Sequence, residues 1–595
     1  MNRVGRHSVP TRNIVRFSGH TLFSLLFIVI LAFLSVYSAF SGHFFANSYD
    51  GMVHIARIES VFQAVKNFRV PSLINFIGFG HQGLALNAMY PWITLLIFVI
   101  PKVILHNVIL AFASGFFILN LITIFNTYLL AKYLSDDSWV QWLGVFAYQF
   151  NAYHLQVMYA RVALGEAFGY AFLPLVLLGL FKIWNHEKSG ILYVAFGMSL
   201  IANSHVLSLV MAAMFILVVE IIRILQIKAS WSEVRFLMYS ALLAIVMSIY
   251  SIYNIIVFTF YNKMVSPAPS VIALDPGISF SKMMSNDFTQ SGNGANMGFA
   301  IMMLLGILLI SMSQISKPEN WSPWILSSVV MLILLQDWFP WSRLIGTPVQ
   351  LFQFLMRFLV LVAICFTVGL ILFFNRTSTA VRPFMVVMSM FIFFIGTMGT
   401  YQLHQRFREN YLWAKKHTKP SIKVKTDKLH YLTSNNYEAN TGDRQLYEYH
   451  LEKSNSVGKV SYKTSGAELI HLNNLRANFD FKGAESFKNL KATDQEAVFG
   501  FKQKHARVVK IPVVGYKNVD FSVKVNGKKT VFWRSEGQLK TKLPAGSSKI
   551  LVSVADSSKH IGLLVISVIG YLFGIFSLIL LWMKRGDYDD NVVDY

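Results

Sequence analysis

Cysteine is all but missing. The one thiol in 595 residues, Cys365, sits inside a hydrophobic run. No disulfide within the chain is available, so any extracytoplasmic part has to fold without one, and a cysteine-rich metal site is excluded. Charge is scarce as well: 14% of the residues are charged, against about a quarter in a soluble domain. Acids are the scarcer sign, with 30 Asp and Glu against 53 Lys and Arg, for a formal net charge of +23. That balance suits anionic surroundings such as phospholipid heads or a polyanionic envelope polymer, with no nucleic acid implied. Nucleotide-loop chemistry is missing too. The stretch Gly78 to Gly83 follows no strand and has no Walker lysine, so it reads as a flexible turn at a membrane surface.

Apolar sequence is what the chain has in quantity. Hydrophobic residues make up 54%, Phe alone numbers 50, and mean hydropathy is +0.48. Apolar segments fall near 20–40, 91–106, 109–133, 138–158, 163–184, 190–205, 206–226, 236–260, 297–315, 322–337, 355–374, 383–402 and 560–583. Many reach the ~17–25 residues needed to cross a bilayer. Arg3, Arg6, Arg12 and Arg16 precede the first run, which lacks a small-residue cleavage site and reads as a retained span. The positive-inside rule can be satisfied throughout if 91–106, which opens at Tyr90-Pro91 and is interrupted by Pro101, is re-entrant. The expectation is a polytopic α-helical membrane protein of about twelve spans with both termini inside. Residues 1–402 form the membrane module and 560–595 the last span and tail. Between them, 403–559 changes character: Lys, Asn, Ser and Gly appear, and alternating runs such as Val523 to Val531 read as strands. This segment is expected outside, as a β-rich domain.

That topology gathers polar groups at the outer face. Asp50, His54 and Arg57 stand at i, i+4 and i+7, one face of a helix, in the first outer loop. Arg161 and Glu166 sit at an outer turn, His205 at the outer end of the next span, and Gln353 and Arg357 open a later one. Each has a plainer reading: Asp50 as a helix cap, the arginines as lipid-phosphate contacts, Glu166 as a partner of Arg161, and the histidines as structural. Convergence at one depth favours a shared cavity. Two carboxylates and a histidine there can supply a general base or hold a divalent cation, for which Asp50 and His54 would be two ligands. Arginines suit phosphate. The set fits a lipid phosphate as leaving group and a hydroxyl acceptor arriving from water.

In order along the chain, these motifs are similar to those of a known group. They are Asp50 with His54 and Arg57, Tyr90-Pro91, Arg161-Val-Ala-Leu-Gly-Glu166 followed by Leu173-Pro-Leu175, Ser204-His205 and Gln353-Phe-Leu-Met-Arg357. They resemble the bacterial integral membrane family described as 6-pyruvoyl-tetrahydropterin synthase-related, which looks like the C-type glycosyltransferase superfamily. Val513-Val-Gly-Tyr516 and Val525-Asn-Gly-Lys528 extend the likeness into the β segment. The enzyme named in that description does not carry over, because the chain has no zinc-binding histidine triad. The resemblance implies a polyprenyl-phosphate-linked sugar as donor and Asp50 as the catalytic acid of the first outer loop. It also implies an acceptor such as teichoic acid or another envelope glycan, and a β-sandwich that orients it. Met356 departs from the motif, which often carries an aromatic there. The competing expectations are a transporter or flippase of lipid-linked glycans and a non-catalytic envelope scaffold. A transporter is expected to carry inverted repeats and midplane polar residues. Neither is evident.

Overall fold

The computed structural model describes residues 19–40, 45–46, 49–262, 264, 270–289, 293–417, 431–432, 487–535, 537–555 and 558–589. Arg3 to Arg16 and most of 418–486 lie outside the described residues.

Among the described residues, eight helices are long and apolar enough to cross a bilayer: Thr21–Phe40, Val108–Leu134, Leu164–Trp184, Val206–Leu225, Trp231–Tyr261, Leu355–Phe374, Thr379–Glu409 and Lys559–Leu581. The chain is therefore a polytopic helical membrane protein. Polar side chains cap the starts of three of them. Asn107 accepts from the Leu110 amide, His205 from Ser208 and Ser230 from Glu233, the usual way of satisfying open amides at a helix start. Leu164–Trp184 is the best buried of the eight and lies at the centre of the bundle, against the neighbouring Val108–Leu134 and Ser189–Ala202 helices.

Four apolar helices are shorter: Ile93–Leu105, Ser189–Ala202, Phe299–Ser313 and Ser322–Leu334. The 91–106 run is thus too short to cross about 30 Å at 1.5 Å per residue. Pro101 does not interrupt it, contrary to expectation. A proline inside a helix removes one hydrogen bond, and buried Phe98 and Val99 hold the helix through that loss; it ends at His106, in the left-handed region at φ 54°. The 138–158 run is not one span either. Helix Ser138–Gln149 stops at Phe150, Asn151 caps a new short helix on the Tyr153 amide, and the chain continues as a π-helix over Gln156–Arg161.

The helix Arg382–His417 carries on past residue 402, so strands begin later than the change in composition. A two-residue ladder pairs β1 (Phe45–Ala46) with β2 (Tyr431–Leu432). A two-sheet sandwich then forms from β3 (Lys488–Ala492), β4 (Glu496–Gln503), β5 (Arg507–Val514), β6 (Phe521–Val525), β7 (Lys528–Lys529), β8 (Phe532–Ser535), β9 (Gln538–Leu543) and β10 (Gly546–Val554). One sheet has order β3-β4-β10-β6-β7, the other β5-β9-β8, and all pairs are antiparallel. Alternation puts Phe499, Val523, Leu539, Ile550 and Val552 in the core.

That core does not stop at the sandwich. Ile74, Phe76, Phe79, Leu84 and Leu86 join it. The Ala85 amide donates to Tyr516 Oη at 3.0 Å, and the Val514 amide donates to the Gln82 carbonyl at 2.9 Å. The Gly78–Gly83 stretch is therefore not the flexible turn its composition suggests. Gly83 sits at φ 67°, and a Cβ there would come 2.7 Å from Phe76 Cε1, so glycine is required by a packed corner. This segment runs directly into Tyr90, which places the sandwich and the Tyr90 end of the bundle together.

Candidate functional site

The helix Tyr49–Lys66 presents Asp50, His54 and Arg57 to the start of the Leu164–Trp184 helix. Glu166 lies in that helix's first turn, where the N-terminal dipole favours an acid. Its side chain is only 7% exposed and is held by two guanidiniums. Arg161 Nη1 donates to Oε2 at 2.6 Å and Nη2 to Oε1 at 3.0 Å; Arg357 Nε donates to Oε1 at 2.8 Å. Tyr153 Oη adds a contact to Oε2 at 3.3 Å. Arg357 Nη1 is tied in turn to the Phe352 carbonyl at 2.7 Å.

Asp50 is different. Its carboxylate is 45% exposed and stands 3.6 Å from Nη2 of Arg161, itself 2% exposed. Arg161 therefore joins the two acids that the sequence places far apart.

Arg57 fixes the opposite wall. It donates to the carbonyls of Tyr90 at 3.0 Å and Pro91 at 2.7 Å, and its guanidinium lies 3.8 Å over the Tyr90 ring. His54 is buried with Arg57 Nη1 3.0 Å from Nδ1 and the Leu164 amide 3.2 Å from Nε2. Both neighbours only donate, and a neutral imidazole accepts at one nitrogen alone. Either tautomer thus satisfies one contact and opposes the other. Burial pushes the His54 pKa well below the usual range, with Arg57 and His205 adding to the fall, so the ring is neutral. His205 stands beside Tyr90 with ring centroids 5.5 Å apart, and its Nδ1 pairs with Ser208 Oγ at 2.9 Å. Burial lowers its pKa to about 4.

Two backbone positions in this region are strained. Val162 follows Arg161 at φ 54° and ψ 42°, a conformation costly for a β-branched residue. Gln353 sits at φ 54° and ψ −54°, four residues before Arg357. Such strain of about 1–3 kcal/mol persists where the surroundings over-determine the backbone. Gln353 contributes its carbonyl, which accepts from the Ile272 amide at 2.7 Å. Its contact is with that neighbouring loop and not with Glu166.

The structure therefore brings Asp50, His54, Arg57, Arg161, Glu166, His205 and Arg357 into one cluster. Three further members are not among the site residues expected from sequence. Tyr153 carries no sequence signal, and Tyr90 and Gly165 stand only within the quoted motifs. Gly165 is needed because a methyl there would run into Tyr90 Oη and the His205 ring. Asp50 and His54 do not fit a cation: Asp50 faces a guanidinium, and both His54 nitrogens face donors. Among the described residues no group of three or more His, Cys, Asp or Glu is placed to hold a metal.

Fold and cluster together define a polytopic α-helical membrane protein with a buried ionic centre beside a β-sandwich. Neither known protein families nor curated proteins give a match to the chain.

Proposed function

We propose that the protein is a glycosyltransferase that moves a sugar from a polyprenyl-phosphate donor to a hydroxyl of a cell-envelope glycan such as teichoic acid. The centre and the sandwich face outward from a bacterial plasma membrane. The observation that carries this reading is the unequal pair of acids on Arg161: Asp50 half-exposed at 3.6 Å, Glu166 enclosed at 2.6 Å. Asp50 is the general base. It takes the acceptor's hydroxyl proton as that oxygen bonds to the anomeric carbon and the carbon–oxygen bond to phosphate breaks with inversion. Glu166, with every oxygen engaged, positions Arg161 and Arg357.

Charge supports a phosphate ligand. Three guanidiniums (Arg57, Arg161, Arg357) against two carboxylates leave one positive charge in excess, since both histidines are neutral. Arginine grips phosphate through paired hydrogen bonds and stabilises charge growing on the departing group.

The test compares Asp50→Asn with Glu166→Gln in cells and in purified protein. Asp50→Asn lowers sugar addition by about 10²–10⁴-fold, the usual worth of a general base, and leaves thermal stability unchanged. Glu166→Gln abolishes addition and also destabilises by about 3–5 kcal/mol, because it strands buried guanidiniums. A normal envelope glycan profile in Asp50→Asn overturns the assignment.

A further inference from the structure

The five-stranded sheet has one face turned away from the sandwich core, and the ladder fixes what stands on it. Lys549 pairs with Gly500, which pairs with Lys488 on its other side. One row along, Leu551 pairs with Val498 and with Lys524, Lys524 pairs with Lys529, and Val498 pairs with Lys491. In the opposite direction Ser547 pairs with Lys502. Paired residues share a face, so Lys488, Lys491, Lys502, Lys524, Lys529 and Lys549 all stand together, and all are exposed. Acids are few here: Glu496 is taken by Lys491 at 3.5 Å, and Asp520 lies at the margin, one residue before β6.

This pattern works against the fold. Lys524 and Lys529 lie directly opposite each other, an arrangement that destabilises a sheet. A surface built for solubility alone intersperses both signs. The floor between the lysines is apolar: Val498 is buried, Leu551 half-buried, and Leu490 leans over Gly500 from the β3 bulge. Neighbouring strands are about 4.8 Å apart and alternate residues about 6.8 Å apart, so the ammonium groups form a grid of regular spacing rather than a point site.

We propose that this face of the sandwich binds an extended, phosphate-bearing polyanionic polymer, with the lysines neutralising successive phosphates and the chain lying across the apolar floor. The inference rests on the transferase reading for the polymer's role as acceptor; the binding itself is a separate measurement.

Inorganic polyphosphate serves as the probe, with the full-length protein in neutral detergent. The expected result is binding that weakens with salt, as release of condensed counterions requires. The variant Lys488→Gln/Lys524→Gln/Lys529→Gln/Lys549→Gln loses at least about tenfold in affinity. An equal charge change at scattered exposed lysines off the sheets, Lys188→Gln/Lys228→Gln/Lys317→Gln/Lys517→Gln, has little effect. Thermal unfolding confirms that both variants fold. Equal losses in the two variants overturn the proposal, because net charge then suffices. Binding to vesicles of anionic phospholipid without binding to polyphosphate also overturns it, in favour of a lipid surface. Asp50→Asn, run alongside, retains polyphosphate affinity. Failure of the transferase reading shows in its sugar addition, and failure of the present one shows in unchanged affinity of the first lysine variant.

Discussion

Gly165 decides how closely Tyr90 approaches the helix that carries Glu166. A methyl at this position meets the Tyr90 hydroxyl, and the ring can yield only by leaving Arg57. Gly165→Ala is expected to lower the proposed sugar transfer by about a hundredfold, the scale of a small misplacement of reacting groups. Combining it with Tyr90→Phe, which removes the nearest clashing atom but leaves Cζ and the His205 ring close, restores part of the loss; normal activity in Gly165→Ala alone overturns the requirement for glycine. His54 gives a second expectation. Its folded pKa is depressed, so the unfolded chain binds the extra proton first. Stability is therefore complete above the unfolded value of about 6.5 and falls as pH drops below it, by up to about 1.4 kcal/mol per unit. Melting temperature in detergent is expected to fall between pH 7 and pH 5, and more gently in His54→Asn. An identical slope in the variant assigns the acid sensitivity elsewhere.

Among the elements, the 72–89 segment works as a joint. On one side Asn87 donates to Ser60 Oγ at 3.3 Å, holding the segment to the helix that carries Asp50, and to the Ser72 carbonyl at 2.9 Å, closing the segment on itself. On the other side Tyr516 and Val514 hold it to the sandwich. Arg69 reinforces the attachment through a 2.9 Å pair with buried Asp494. Tyr516→Phe leaves the Ala85 amide buried without its acceptor, a cost of about 1–3 kcal/mol. Limited proteolysis is expected to cut the variant faster between residues 70 and 90. Unchanged cleavage with normal stability means that the hydroxyl contact does not hold the joint.

At the scale of the whole molecule, what could be read from the sequence followed the range of the interactions involved. Spans such as 20–40 and 109–133 announce themselves because twenty apolar residues in a row have one stable environment. The shared face of Asp50, His54 and Arg57 follows from helical spacing. The strands of 488–554 show through alternation. What stayed hidden depends on partners far along the chain. Gly165 matters only because Tyr90 folds over it, and Tyr153 only because its hydroxyl reaches Glu166. The glycines at 78–83 look mobile until the residue 431 positions beyond Ala85 closes on them. The break at Phe150 and Asn151 was equally invisible, since an unbroken apolar run conceals a cap that lies within it.

Glu166 takes one guanidinium from 5 positions away and another from 191 positions away. During synthesis, the first of these arrives almost at once and the second only after more than half the chain has left the ribosome. The complete ionic centre accordingly cannot exist on a nascent fragment ending before residue 357, and a protein cut into two co-expressed halves within that interval regains its ionic centre only by reassembly. If the protein acts as proposed, an incomplete chain is therefore unable to engage lipid-linked sugar while it is still being threaded into the bilayer.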